Sequence, residues 1–215
     1  MDSINDVYWN YLTWVAGKTL IGRARCPTKP ERDRVCRAEV DDILRHARVL
    51  FDQQAHKMKQ SPKGDRNLSV ACATLSLFQA LITAGVERKY AIELCSEVAS
   101  EIYKTWGTWP HLIARICSFG PLKRLRICVN TALSFPCSVP GCVHDRHDTD
   151  HEIVINIHRC PAAEYFRQKG AADLCEGSWC NLNYALAELW GGKLERKGTL
   201  AGGDAPCHLR FKIRC

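Results

Sequence analysis

The feature that most constrains this chain is a change of hydrophobic period at Pro136. Ahead of it, apolar residues recur at helical spacing. Val40, Ile43, Leu44 and Leu50 mark one long helix from about Val35 to Met58, and two more span roughly 66–84 and 87–105, parted by the stop AGVE. The short turn between those two predicts an antiparallel pair. Beyond Pro136, EIVINIH alternates residue by residue, which sets Ile153, Ile155 and Ile157 on one face of a strand and Val154, Asn156 and His158 on the other. Helices first and alternation later define an α+β chain, with an N-terminal helical half packed on a small antiparallel sheet with two helices.

The two later helices announce themselves through their ends. Pro161 opens a run that Gly170 stops near Lys169, and a second run from Asn181 to Trp190 ends at Gly191-Gly192. AADLCEGSWC reads as the loop between them. The tail KLERKGTLAGGDAPCHLRFKI reads as two strands joined by a glycine-rich turn. Residues 109–135 are apolar, basic and helical, with a break at Gly120-Pro121, and KQSPKGDRN is a loop. The expected organisation is an aromatic-containing extension over 1–34 and a single domain over 35–215, helical over 35–135 and α+β over 136–215.

Composition narrows the function. No apolar run reaches the roughly 18 residues of a membrane span. MDSINDVYWNYLTW lacks the basic start and apolar core of a secretory signal, so the expected location is cytoplasmic. The 13 cysteines are odd in number and irregular in spacing, which favours reduced thiols. Cys72 and Cys95 lie on apolar helical faces and are expected in the core. The net charge of +7 is scattered, without a zinc-finger, helix-turn-helix or RNA-binding motif, so no nucleic-acid partner is expected. PLKRLRIC at 121–128 has the pattern of a half-exposed amphipathic helix. The absence of a P-loop, a dinucleotide-type glycine loop and a GxSxG elbow disfavours phosphoryl and hydride transfer. The expected partner is a small-molecule substrate; a homo-oligomer is compatible with the chain.

The candidate chemistry lies in cysteines at helix starts. Cys160 precedes Pro161 at a probable N-cap, where backbone amides lower a thiol pKa. Glu164, one turn on, is placed to move a proton beside it; the plainer alternative is a cap whose dipole Glu164 offsets. Cys180 repeats the arrangement before NLNYALAELW, and Cys175 reads as a bystander. Cys207 points inward by strand parity. Arg196 shares a side with Leu194 and Leu200, so its guanidinium meets either a buried glutamate or a ligand carboxylate. His144, His147 and His151 sit among Asp145, Asp148 and Asp150 and read as a solvated hairpin tip, while Cys137 and Cys142 lack the second pair of a zinc ribbon.

Together, HRCPAAEYFRQKGAADLCEGSWCNLNYALAE and GGKLERKGTLAGGDAPCHLRF resemble the L-2-amino-thiazoline-4-carboxylic acid hydrolase family. The family pattern Cys-Pro-x-x-Glu falls on Cys160, Pro161 and Glu164; its second cysteine helix on Cys180, Asn183 and Ala185; its close on Glu195, Arg196, Thr199, Leu200 and Cys207. The resemblance implies hydrolysis of a cyclic isothiourea to a carbamoyl-cysteine without an organic cofactor. It implies catalytic roles for Cys160, Glu164, Cys180 and Cys207, and substrate binding by Arg196, Asn183 and His158. His208 stands where an acid is usual, and Asn183 where Asp is common. The closing pattern is also similar to 4-vinyl reductase-type ligand-binding domains, in which Cys160, Glu164, Cys180 and Cys207 would hold zinc; Thr199 stands where those domains commonly have a cysteine. A further alternative is a non-catalytic partner-binding protein using the basic 121–128 face.

Overall fold

The structure, a computed structural model, describes residues 3–23, 35, 37–59, 66–134 and 141–214. It divides into two compact units, Met1–Ile102 and Tyr103–Cys215.

The first unit is helical. It contains α1 (Ser3–Arg23), a 3-10 turn (Arg37–Glu39), α2 (Val40–Lys59), α3 (Arg66–Thr83) and the first half of α4 (Arg88–Cys117). The aromatic lead-in is thus a helix, and Trp9 stacks on Phe51 of α2 with ring centroids 4.7 Å apart. The stripe on α2 is Val40, Ile43, Ala47 and Phe51, all buried; Leu44 and Leu50 lie at its half-buried margins. Every residue from Ala71 to Phe78 is buried, so α3 is a central helix rather than one face of a hairpin. It packs chiefly on α2, not on α4 as the short turn suggested. Cys72 and Cys95 are core residues, and burial pushes the Cys95 thiol far up from its ordinary value.

The second unit holds the rest of α4, α5 (Pro121–Ser134), β1 (Val143–Asp148), β2 (Glu152–Arg159), α6 (Pro161–Gln168), α7 (Ala172–Leu174), a π-helical turn (Cys175–Cys180), α8 (Leu182–Leu189), β3 (Gly192–Lys197) and β4 (Cys207–Ile213). The four strands form one antiparallel sheet in the order β1-β2-β4-β3. Ile153, Ile155 and Ile157 oppose Phe211, Leu209 and Cys207 in register, and Leu194 opposes Phe211. This inner face forms one core with Leu125, Cys128 and Val129 of α5 and Leu186, Ala187 and Trp190 around α8. The outer face is polar, as one-sided antiparallel sheets are: Arg210 donates to Glu152 at 2.8 Å and Lys212 to Glu195 at 2.6 Å.

Three segments differ from the sequence reading. Of the aspartate- and histidine-rich stretch, Val143–Asp148 is edge strand β1, and only Thr149, Asp150 and His151 form the exposed bend into β2. The strand's polar side chains find cross-strand and helix partners: Asn156 donates to Asp145 at 2.7 Å, and Arg146 clamps Asp148 while reaching Asn130 of α5. The expected loop 175–180 is the π-helical turn. Helix α4 passes through Pro110 and continues to Cys117, because its end carries Ala114 fully into the second core; the tertiary contact outweighs the lost backbone bond. Gly170 and Gly191 take the positive φ that ends α6 and α8 (+67° and +76°). Among the described residues no helix is long and apolar enough to cross a membrane.

Helices α4 and α8 meet at Gly107, where an added Cβ would fall 2.6 Å from Leu186 Cδ2 and 2.9 Å from Leu189 Cδ2. Gly107→Val is expected to cost about 1–3 kcal/mol by overpacking this crossing, read as a lower denaturant midpoint for the second unit. An unchanged midpoint would refute the tight crossing.

Candidate functional site

The chain leaves β2 at Arg159 and turns at Cys160, whose extended backbone (φ −132°, ψ 109°) makes it the N-cap of α6 with Pro161 at the first turn. Strand parity therefore stops at His158. The Cys160 side chain packs against the sheet core, whereas His158 stays exposed on the other face. There its Nε2 lies 2.6 Å from Asp145 Oδ2. Asn156 bridges the same aspartate to His208, whose Nδ1 lies 2.6 Å from Asn156 Oδ1. The His158 and Asn156 hydrogen bonds hold the Asp145 carboxyl below the usual carboxylate range. His158 is not brought to the thiols, and His208, standing where an acid was usual, belongs to this outer network.

The thiols themselves assemble on the inner side. Cys142 precedes β1, Cys160 caps α6, Cys175 and Cys180 bracket the π-helical turn, and Cys207 opens β4 opposite Ile157. They are near enough to influence one another's ionisation: Cys160 responds to Cys142 and Cys180, and Cys175 to Cys180, Cys160 and Cys207. A π-turn is what brings Cys175 and Cys180 together, since five residues there make slightly more than one turn.

The five differ in where they hold a proton. Cys175, almost fully buried, donates its S–H to Cys180; this bond and burial push the Cys175 thiol strongly up. Cys180 moves the other way. The hydrogen bond from Cys175 and the Arg196 charge lower its pKa, against burial and the Glu176 carboxylate. Cys160 is the correction to the dipole argument. The amides of Ala163 and Ala162 do lower its pKa, but burial outweighs them and pushes the thiol up to about 11. Burial likewise raises Cys207, whose sulfur accepts the Leu200 amide at 3.0 Å.

Arg196 opposes Leu209 across the strands and so faces inward, half-buried. Its contacts are with backbone, amide and ring rather than with a glutamate. Its Nη1 donates to the Cys180 carbonyl at 2.6 Å, its Nη2 to Asn181 Oδ1 at 3.1 Å, and its plane lies over Tyr184, 4.9 Å from the centroid. Two of its five N–H donors are thereby used. Glu164 is turned to the surface, where Arg159 grips both oxygens at 2.9 and 3.2 Å. Asn183 lies half-buried in the first turn of α8. Thr199 is structural: its hydroxyl donates to Glu176 at 3.2 Å and accepts the Gly202 amide at 2.9 Å, tying the β3–β4 loop to the π-turn. Among the described residues, no group of three or more His, Cys, Asp or Glu side chains is placed to hold a metal ion. Of the four residues proposed for zinc, Glu164 is held by Arg159; Cys137 lies outside the described residues.

Two members of this site escaped the sequence. Cys175 was the bystander between helices. His144 was assigned to a solvated tip, yet it opposes Ile157 in β1 and so shares the inner face and the same sheet row as Cys207. Its Nδ1 is buried without a hydrogen-bond partner. An imidazole nitrogen left open on this inner face can take up a proton.

The second unit is thus an α+β domain with its thiols and one inward guanidinium at the end of a four-stranded sheet. Residues 138–211 match the L-2-amino-thiazoline-4-carboxylic acid hydrolase family. No curated protein matches the chain.

Because Cys180 is shifted down while Cys160 is shifted up, alkylation by iodoacetamide at neutral pH is expected to label Cys180 ahead of Cys160, as followed by peptide mass spectrometry. Arg196→Gln removes a charge that favours the thiolate, so labelling of Cys180 should slow severalfold and recover as pH rises. Equal rates at both cysteines would refute the assignment.

Proposed function

We propose that the protein is a hydrolase that opens a cyclic isothiourea of the 2-aminothiazoline-4-carboxylate type to a carbamoyl-cysteine. The observation that carries this is the Cys180 thiol, whose anion the Cys175 hydrogen bond and the Arg196 charge both favour, within a segment that matches a hydrolase family.

The chemistry follows from the protonation states. C2 of the ring is bonded to two nitrogens and a sulfur and is electrophilic as an amidinium. The Cys180 thiolate adds to C2, and the ring heteroatom departs with the electron pair of its bond to that carbon. Cys160, with its thiol pushed up to about 11, is protonated at neutral pH and supplies the proton that the departing atom needs. Water then adds to the same carbon, His144 accepts its proton, and collapse expels Cys180 as the thiolate. Ring plus water becomes the carbamoyl product, with no oxidant or organic cofactor consumed. Arg196 keeps Cys180 ionised and, through its remaining donors, meets the substrate carboxylate. Glu164 takes no part in proton transfer in this scheme.

Three variants separate the roles in a turnover assay with 2-aminothiazoline-4-carboxylate. Cys180→Ala should lower kcat/KM by about 10³-fold or more. Glu164→Gln should leave kcat within about twofold, because its partner Arg159 is a surface residue. His144→Gln should lower kcat. Full turnover in Cys180→Ala would sink the thiolate mechanism, and a wild type inert to the thiazoline would sink the substrate assignment.

A further inference from the structure

The second unit contains an open cleft of about 480 Å³ lined by the second half of α4, by α5 and by α8 with Trp190 after it. Its walls are largely aromatic, from Tyr103, Trp106, Trp109 and Trp190, completed by Ala132 and Leu186 among others, and no lining residue carries a charge. The polar tip of Trp190 is already committed, its indole N–H donating to the Gly107 carbonyl at 3.0 Å. Trp109 is 67% exposed and stands at the mouth. The volume is in the range of small-molecule sites, and several aromatic side chains lining an apolar interior offer ring contacts to an aromatic guest.

The walls also say what the guest is not. A carboxylate or phosphate would enter without a partner and lose its hydration. A cation would gain the ring faces, but it would approach a chain of net charge +7, beside α5 with Lys123, Arg124 and Arg126. 2-Aminothiazoline-4-carboxylate, small and charged, suits none of these walls. We propose that this cavity is a binding site for an uncharged, planar ligand of two or three fused aromatic rings, separate from the thiol group. The inference goes beyond the ring-opening reading and does not rest on it. Tyr103 is shared between the two places: it meets Trp179 edge-on at 6.3 Å, and Trp179 immediately precedes Cys180.

The test is a fluorescence titration of the full chain with N-phenyl-1-naphthylamine, a neutral probe that brightens in apolar surroundings. Saturable brightening is expected, reversed by 2-naphthol and not by 2-naphthoate at equal concentration. Ala132→Phe fills the cavity and Thr131→Trp obstructs it from an exposed lining position; each should weaken the probe by roughly tenfold or more. Should Ala132→Phe fail to fold by circular dichroism, Thr131→Trp decides. The proposal is overturned by an absence of saturable binding, by unchanged affinity in the folded variants, or by equal displacement with the naphthoate. Turnover of the thiazoline in the same samples is read separately, so loss of one result leaves the other intact.

Discussion

Arg196 is the residue on which the geometry of the thiol group rests. One guanidinium joins β3 to the junction between the π-turn and α8, by bonds to the Cys180 carbonyl and the Asn181 side chain, while its face lies on Tyr184. The same charge lowers the Cys180 pKa. Structure and reactivity therefore share a cause. The planar fork that fixes where the chain goes also adds to the Cys175 hydrogen bond in favouring the Cys180 anion, and a lysine, with one rounded ammonium, could not do both.

The two cysteines at helix starts show how burial and hydrogen bonding compete. Both precede helices, and position alone would make both acidic. Cys160 receives help from two backbone amides but sits in the core, and desolvation of its anion wins. Cys180 is also penalised by burial, yet a thiol donor and a nearby cation overcome it. The result is a division among chemically identical side chains: the Cys180 thiol is shifted toward its anion while Cys160, Cys175 and Cys207 are shifted toward the protonated form.

Much of the second unit was legible in the sequence. Alternation in EIVINIH gave the buried isoleucine face, Pro161 and Gly170 bounded α6, Gly191 ended α8, and strand parity turned Cys207 and Arg196 inward. What escaped did so for physical reasons. β1 carries so many charges that alternation is invisible; its stability comes from partners on β2 and α5 that no local pattern reveals. The π-turn has a period that helical and strand templates both miss, so Cys175 and Cys180 read as unrelated. Glu164 seemed placed one turn from Cys160, but Arg159, only five residues before it, was the nearer charge. The family motifs, too, lie within the matched 138–211 segment or close to its end, and the helices before it bring no comparable signature.

The charged character of β1 has one more consequence. In the order β1-β2-β4-β3, both β1 and β3 are borders of the sheet, with backbone groups available to any passing extended chain. β1 carries Arg146, His147 and Asp148 along that border, and β3 carries Lys193, Glu195 and Lys197. A second molecule trying to add itself there would have to strip water from these ions in exchange for few apolar contacts. The side chains that hid the strand from inspection are thus the ones that discourage molecules of this protein from joining sheet to sheet.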